Sequence, residues 1–536
     1  MIRPGQAARR AAARLCLVDF AGAEPSARLE RLIADDHIGG VCLFRKNIVS
    51  VSQVAGLTAT LRRLAHAAGT PDFWVTIDHE GGVVNRFAAA AHGATASGGE
   101  RAPRPVTALP SAMALGAAGD PALAREAGQV AGTELRAMGI HLNYAPVMDV
   151  NNNAANPVIG VRAFGETPAQ VEAMGIAYLE GLQAAGVGAT AKHFPGHGDV
   201  TVDSHEALPL VEHGRERLDR IELRPFRAAA RAGVAAVMTA HIVFPALDAS
   251  RTPATLSRPI VHGLLRERWG YRGLAISDSL AMRAILDHYP LDQAAVAAVQ
   301  AGCDLLLALG PDARQDEVLD GLALAIERGQ IPSSRLGETT SRLAREALRW
   351  GVGTPPPADL LQSVGSDAHR HVARRIAEAA VTLVRDRAGA VPLAARRVGV
   401  VTVAPAPENA SPAFVPHLKR YHDGVVGMAA GAATGHLDRV VVVTCSRGTP
   451  ADAQVAVVRD LHRRLGDRLV VLATGDPYDL LQFPEVPAYL LTYGPDPASL
   501  DAAARVLAGR ISPRGRLPVA LGDLYPAGHA WSGTSR

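Results

Sequence analysis

Residues 192–205 read KHFPGHGDVTVDSH, which places Lys192, His193, His197, Asp199, Asp203 and His205 within fourteen positions of an alanine-rich, apolar chain. Ionisable groups at this density serve a metal, a phosphate or a proton. Asp203 and His205 are spaced i, i+2, so in extended backbone both side chains leave one face. A carboxylate that accepts one ring N–H fixes the imidazole tautomer and raises the basicity of the other nitrogen, the arrangement of a proton donor working near neutrality. Gly and Pro in HFPGHG predict a mobile loop able to close over a ligand. Lys192 and His193 come directly off an apolar run, where an unpartnered lysine would cost several kcal/mol. Lys192 therefore either pairs with a buried acid or hydrogen-bonds substrate hydroxyls.

Other groups of the same kind lie far away in the chain. Asp278, in GLAISDSLAM, is either a fixed anion at a strand end or an N-cap for the next helix. In IDHEGGVVNR, Asp78, Glu80 and Arg86 surround two glycines that let backbone approach closely, and a carboxylate such as Asp78 can accept two vicinal hydroxyls of a sugar. Arg162, in NPVIGVRAFG, offers a fork of donors for an acetamido carbonyl, carboxylate or phosphate, or is a solvated surface residue. The rival class is a metal-dependent barrel hydrolase with zinc on His193, His197, His205, His241 and Asp278. Against it, no HxH pair ends an early strand and the histidines lack helical i, i+4 spacing, so no metal and no cofactor is expected.

These residues need elements that bring them together. Eight apolar, β-branched runs precede residue 350: RLCLVDF, GGVCLF, DFWVTI, IHLNYAPV, GVGATA, GVAAVMTA, GLAIS and GCDLLLAL. Stretches of helical period separate them, which predicts an α/β chain whose eight parallel strands close into a (β/α)8 TIM-type barrel. The polar clusters follow the third, fifth, sixth and seventh runs, at the strand ends where barrel chemistry converges on one mouth. The stretch AAAAHGATASGGERAPRP after Phe87 reads as a long loop beside that mouth. The barrel is drawn over residues 1–350 and a proline-rich linker over 351–375. A smaller α/β sandwich of about five strands occupies 376–536, either lending a loop to the mouth or docking and mediating homodimerisation.

Composition narrows the partner. A net charge of +3 over 536 residues, with no long basic run, leaves nothing to draw the chain to nucleic acid or acidic lipid. A small neutral ligand fits better. No apolar run approaches the ~20 residues of a membrane span. Four dispersed cysteines without a CxxC pair read as buried reduced thiols. AAARLCLVDF meets Asp19 before a signal-peptide core develops, so a cytoplasmic location is expected.

KHFPGHGDVTVDSHEALP, IDHEGGVVNR, NPVIGVRAFG, VMTAHIVFPALD and GLAISDSLAM together closely resemble glycoside hydrolase family 3, in particular its bacterial β-N-acetylglucosaminidase branch. AVTLVRDRAGAVPL and GRISPRGRLPVAL resemble the second domain of that family. The resemblance implies a retaining exo-β-N-acetylglucosaminidase acting on peptidoglycan fragments or chitooligosaccharides. Asp278 matches the family's nucleophile, His205 with Asp203 its His–Asp acid/base dyad, and Asp78, Arg86, Arg162, Lys192 and His193 its sugar-binding positions. A histidine adds no second anion beside the nucleophile, so inorganic phosphate is an alternative acceptor to water. A β-glucosidase of the same family is a further alternative. The chain departs from the pattern at His79, Val83, Val161 and His141, all expected at or near the mouth, which puts fine sugar specificity in doubt.

Overall fold

The computed structural model describes residues 4–87, 104–403 and 414–533. Most of the predicted loop after Phe87 lies outside the described residues.

All eight runs form strands: β1 (Cys16–Val18), β2 (Gly40–Leu43), β3 (Trp74–Ile77), β4 (Leu142–Asn143), β5 (Gly188–Phe194), β6 (Ala236–Thr239), β7 (Leu274–Ser279) and β8 (Leu305–Ala308). They pair in sequence order, all parallel. β8 returns to β1 through Leu17↔Leu307, so the barrel is closed. Each strand is buried along nearly all its length, because interior side chains face one side and helices cover the other. That double burial is why the runs are continuously apolar rather than alternating.

The second domain is a six-stranded sheet in the order β11-β10-β12-β13-β14-β9. Its strands are β9 (Thr382–Asp386), β10 (Val398–Thr402), β11 (Val425–Met428), β12 (Arg439–Thr444), β13 (Leu469–Ala473) and β14 (Ala488–Leu491), with β9 antiparallel to β14. Five of the six are the predicted runs. The sixth, β11, is a short, half-exposed edge strand, VVGM, which merges into the alanine- and glycine-rich stretch after it and so does not stand out as a separate run. The proline-rich stretch leads into helix Asp367–Ala380, whose start is fixed by Ser366 accepting from the His369 amide.

The two domains share a core. Met113, Ala114, Ala117 and Val161 of the barrel side pack with Val442, Val471, Tyr493 and Val519 of the other. Polar bonds lock the seam: Asn151 Nδ2 donates to Tyr478 Oη at 2.8 Å, and the Ala520 amide donates to Glu166 at 2.7 Å.

Burial of titratable groups sets the pH response of folding. His79, His141 and His197 are buried, and burial pushes each imidazole down to about 4. Between about 4 and the ordinary value of 6.5 the unfolded chain therefore binds more protons than the folded one. Stability from these groups is complete above pH 6.5 and falls as pH drops through that window. Asp479, pushed up to about 6 by burial, acts in the opposite direction, as do Asp476 and Asp496, whose carboxyls burial also raises; burial lowers His241 and His417 as well, on the side of the three imidazoles. Urea unfolding at pH 7.5 and 5.0 should give the lower midpoint at 5.0, with His141→Asn narrowing the gap. An equal midpoint at both pH values would mean the imidazoles are not held neutral.

Candidate active site

The loops after β3, β4, β5 and β7, with residues after β1, β2 and β8, line a cavity of about 440 Å³ at the carboxyl end of the barrel. Asp78, Arg86, Arg162, Lys192, His193, His205 and Asp278 all line it. Asp203 stands just behind, bonded to His205.

The floor is an ion-pair network. Lys192, at the end of β5, is only 2% exposed and places Nζ 2.6 Å from Asp78 Oδ1 and 2.5 Å from Glu80 Oε1. Of the two expectations for Lys192, pairing with buried acid is the one realised. Arg86 Nη2 donates to Asp78 Oδ2 at 2.6 Å, and its Nε to the Asp78 carbonyl at 3.0 Å. Arg162 is not a solvated surface residue: it grips Glu80 with Nε at 2.9 Å and Nη2 at 2.8 Å. Burial alone would raise the Asp78 and Glu80 carboxyls, but Lys192, Arg86 and Arg162 outweigh it and hold both below the ordinary range. Both acids thus remain acceptors, and three cations leave donor capacity for an incoming ligand.

His193 is oriented by a residue that the motif reading missed. Asp149, wholly buried after β4, accepts from the His193 amide, from His193 Nδ1 at 2.7 Å and from the His197 amide at 2.7 Å. With Nδ1–H donating to Asp149, His193 Nε2 faces Arg162 Nη2 at 3.4 Å. The aspartate of the run LNYAPVMDV was visible, but its partners lie more than forty residues away, beyond any local spacing rule.

The Asp203–His205 pair arises differently from expected. Asp203 and His205 sit in a turn, not in extended backbone. Asp203 Oδ1 accepts both the His205 amide at 2.7 Å and His205 Nδ1 at 2.8 Å, an Asx-type turn that fixes the ring from its own backbone. Nε2 is the ring nitrogen not bonded to Asp203, on a side chain 63% exposed. The loop carrying the dyad is tethered at its root. Asn156 Nδ2 donates to the carbonyls of His197 and Gly198, and His213 Nε2 meets Asp199 Oδ2 at 2.7 Å. A Cβ at Gly198 would lie 1.7 Å from the Val150 carbonyl oxygen, so only glycine permits this close crossing.

Asp278 ends β7 and faces the cavity, with the Ser279 amide 2.7 Å from Oδ1. Burial works to raise its carboxyl, but His193, His241, His205 and that amide prevail, and the group lies below its ordinary value. It is an anion of the mouth rather than the cap of helix Arg283–Leu286, which begins after Met282.

Among the described residues, no three of the groups considered for zinc bring their ligand atoms within 4.8 Å of one another. His241 bonds Thr255 Oγ1 and the Ser279 carbonyl, and His197 bonds Ser204 Oγ. Among the described residues, the one cluster with ligand atoms close enough for a metal is Asp199, His213 and Glu222, outside the set considered. There the Arg217 guanidinium already sits 2.7 Å from Asp199 and 3.4 Å from Glu222.

The departures from the family pattern also fall elsewhere than expected. His141 precedes β4 at the opposite end of the barrel, where Nδ1 accepts from the Val75 amide. His79 is buried against Phe87, and Val83 and Val161 pack toward the second domain. None of the four lines the cavity: His79, Val83 and Val161 pack against neighbouring side chains, and His141 lines a separate recess with Arg136 and Trp350.

Fold and cavity define a barrel enzyme with a carboxylate and an imidazole facing one polar pocket. Residues 9–346 match the Glycosyl hydrolase family 3 N terminal domain and residues 341–524 its C-terminal domain, and the chain belongs to glycosyl hydrolase family 3. A beta-hexosaminidase A from Pseudoalteromonas piscicida is 34% identical over 389 residues, covering 68% of this chain and 62% of its own length. A beta-N-acetylglucosaminidase/beta-glucosidase from Cellulomonas fimi is 29% identical over 524 residues, 90% of this chain and 88% of that one. The solved family 3 beta-N-acetylglucosaminidase from Paenibacillus sp. str. FPU-7 superposes with a TM-score of 0.87 at 37% identity, covering 96% of this chain and 98% of that one.

Proposed function

We propose that the protein is a retaining exo-β-N-acetylglucosaminidase that removes terminal GlcNAc through a glycosyl-Asp278 intermediate. The observation that carries the reading is the common cavity: an ionised aspartate and an aspartate-held imidazole line one pocket with Lys192, Asp78, Arg86, Arg162 and His193. The charged floor favours a hydroxyl-rich chain end over the middle of a polymer. Asp278 attacks the anomeric carbon as His205 gives its proton to the leaving oxygen. The same imidazole then takes a proton from the water that releases the sugar.

Incubation with a 5-fluoro N-acetylglucosaminyl donor bearing a good leaving group should add one glycosyl mass to the peptide containing Asp278. Turnover of ordinary substrate with no trappable adduct would remove the double displacement. A panel of aryl β-glycosides, with and without inorganic phosphate, separates GlcNAc from glucose preference. The proton donor is an imidazole rather than a second carboxylate, so phosphate is a chemically admissible acceptor, read out as a sugar phosphate product.

Peptidoglycan fragments in the cytoplasm are the proposed setting. The four cysteines are unpaired, and burial pushes the thiols of Cys16, Cys42 and Cys303 up to about 12, which suits a reducing compartment. Among the described residues no helix is long and apolar enough to cross a membrane. Division at 1–350, 351–375 and 376–536 is part of the same proposal.

A further inference from the structure

We propose that Asp476 of the second domain is a positioning residue for the sugar site, fixing the turn that aims Arg162; this rests on the glycosidase reading above. Asp476 follows β13 and is 3% exposed. Its Oδ1 accepts from the Val161 amide at 2.7 Å, and its Oδ2 from the Gly448 amide at 2.6 Å. Val161 immediately precedes Arg162 in the turn Gly160–Arg162. The carboxylate fills that turn: Gly160 has φ +44°, and a Cβ on it would meet Asp476 Oδ1 at 2.3 Å.

A buried carboxylate between two buried amides is an expensive choice if packing were its only purpose, since burial acts to raise its pKa. What it secures is the direction of one guanidinium. Arg162 meets Glu80 with two parallel bonds, and a bidentate pair tolerates little rotation of the backbone beneath it. The neighbouring residue Arg447 donates to the Val83 carbonyl at 3.1 Å, on the loop that bears Asp78, Glu80 and Arg86. Two adjoining loops of the second domain thus hold both partners of the Glu80–Arg162 pair from behind. The domain is then part of the site's scaffold rather than an appendage.

Asp476→Ala should raise KM for an aryl N-acetyl-β-glucosaminide about 10- to 100-fold with a smaller change in kcat. In an Arg162→Ala background the same substitution should add less than about twofold, the signature of action through Arg162. Asp476→Asn keeps one acceptor and should fall between. Amide exchange of the peptide spanning residues 158–163 should accelerate in Asp476→Ala, which a merely global loss of stability would not confine to that turn. Should Asp476→Ala not fold, Gly160→Ala displaces the carboxylate from the barrel side and should give the same KM effect. Full additivity with Arg162→Ala, or unchanged exchange and KM, overturns the proposal. A wild-type protein inactive on every aryl glycoside would instead sink the glycosidase reading, and exchange at Val161 would still decide the role of Asp476.

Discussion

Asp278→Gly should lower kcat/KM for an aryl N-acetyl-β-glucosaminide by on the order of 10⁴- to 10⁶-fold, as expected when a nucleophile is deleted from an otherwise intact site. Sodium azide should restore part of the rate. The reason lies in where the carboxylate stands. It ends β7 with the Ser279 amide on one oxygen and His193, His205 and His241 around it, and these hold it below its ordinary value. The anion therefore persists across the working pH range, and its own titration should contribute no acid limb above about pH 4. Glycine leaves a space of carboxylate size beneath the anomeric carbon, which azide can enter from the same face. The product should be the α-configured glycosyl azide, the stereochemical mark of attack from the Asp278 side. A loss of less than about a hundredfold, or a β-configured azide, would show that Asp278 is not the group that bonds to the sugar.

Much of this site was legible because strand ends and motif positions are local properties of the chain. Each polar cluster follows its apolar run directly, so once eight runs closed into a barrel, Asp78, His193 and Asp278 had to share one mouth. Three things were not legible, each for a physical reason. Asp149 organises His193 and His197 through bonds that span more than forty residues, and nothing in a local window marks an acid whose partners are that distant. The Asp203–His205 pair was expected from strand alternation, but a side-chain-to-backbone bond creates it, and that competes with extended structure at aspartate. His141 and His79 looked like specificity positions because they neighbour motif residues. In a strand or tight loop the adjacent side chain turns the other way: His79 packs on Phe87, and His141 accepts from the Val75 amide at the far end of the barrel.

The dyad yields the second large effect, and it depends on the leaving group. His205→Ala should cost on the order of 10³- to 10⁴-fold on a disaccharide, whose departing alkoxide needs a proton, and much less on a dinitrophenyl glycoside, whose departing phenolate does not. The contrast follows from geometry: Asp203 occupies Nδ1, so the proton in play is on Nε2, at the exposed edge of the cavity where the aglycone leaves. Asp203→Asn keeps the acceptor oxygen but removes the negative charge, so the ring stays oriented while its proton affinity falls. That variant should lose activity on both substrates less than His205→Ala does, with the larger share again on the disaccharide. Hydrolysis of the trapped intermediate should also slow, because the same nitrogen activates the attacking water. Equal losses on the two leaving groups would mean that the imidazole binds the sugar rather than moves the proton.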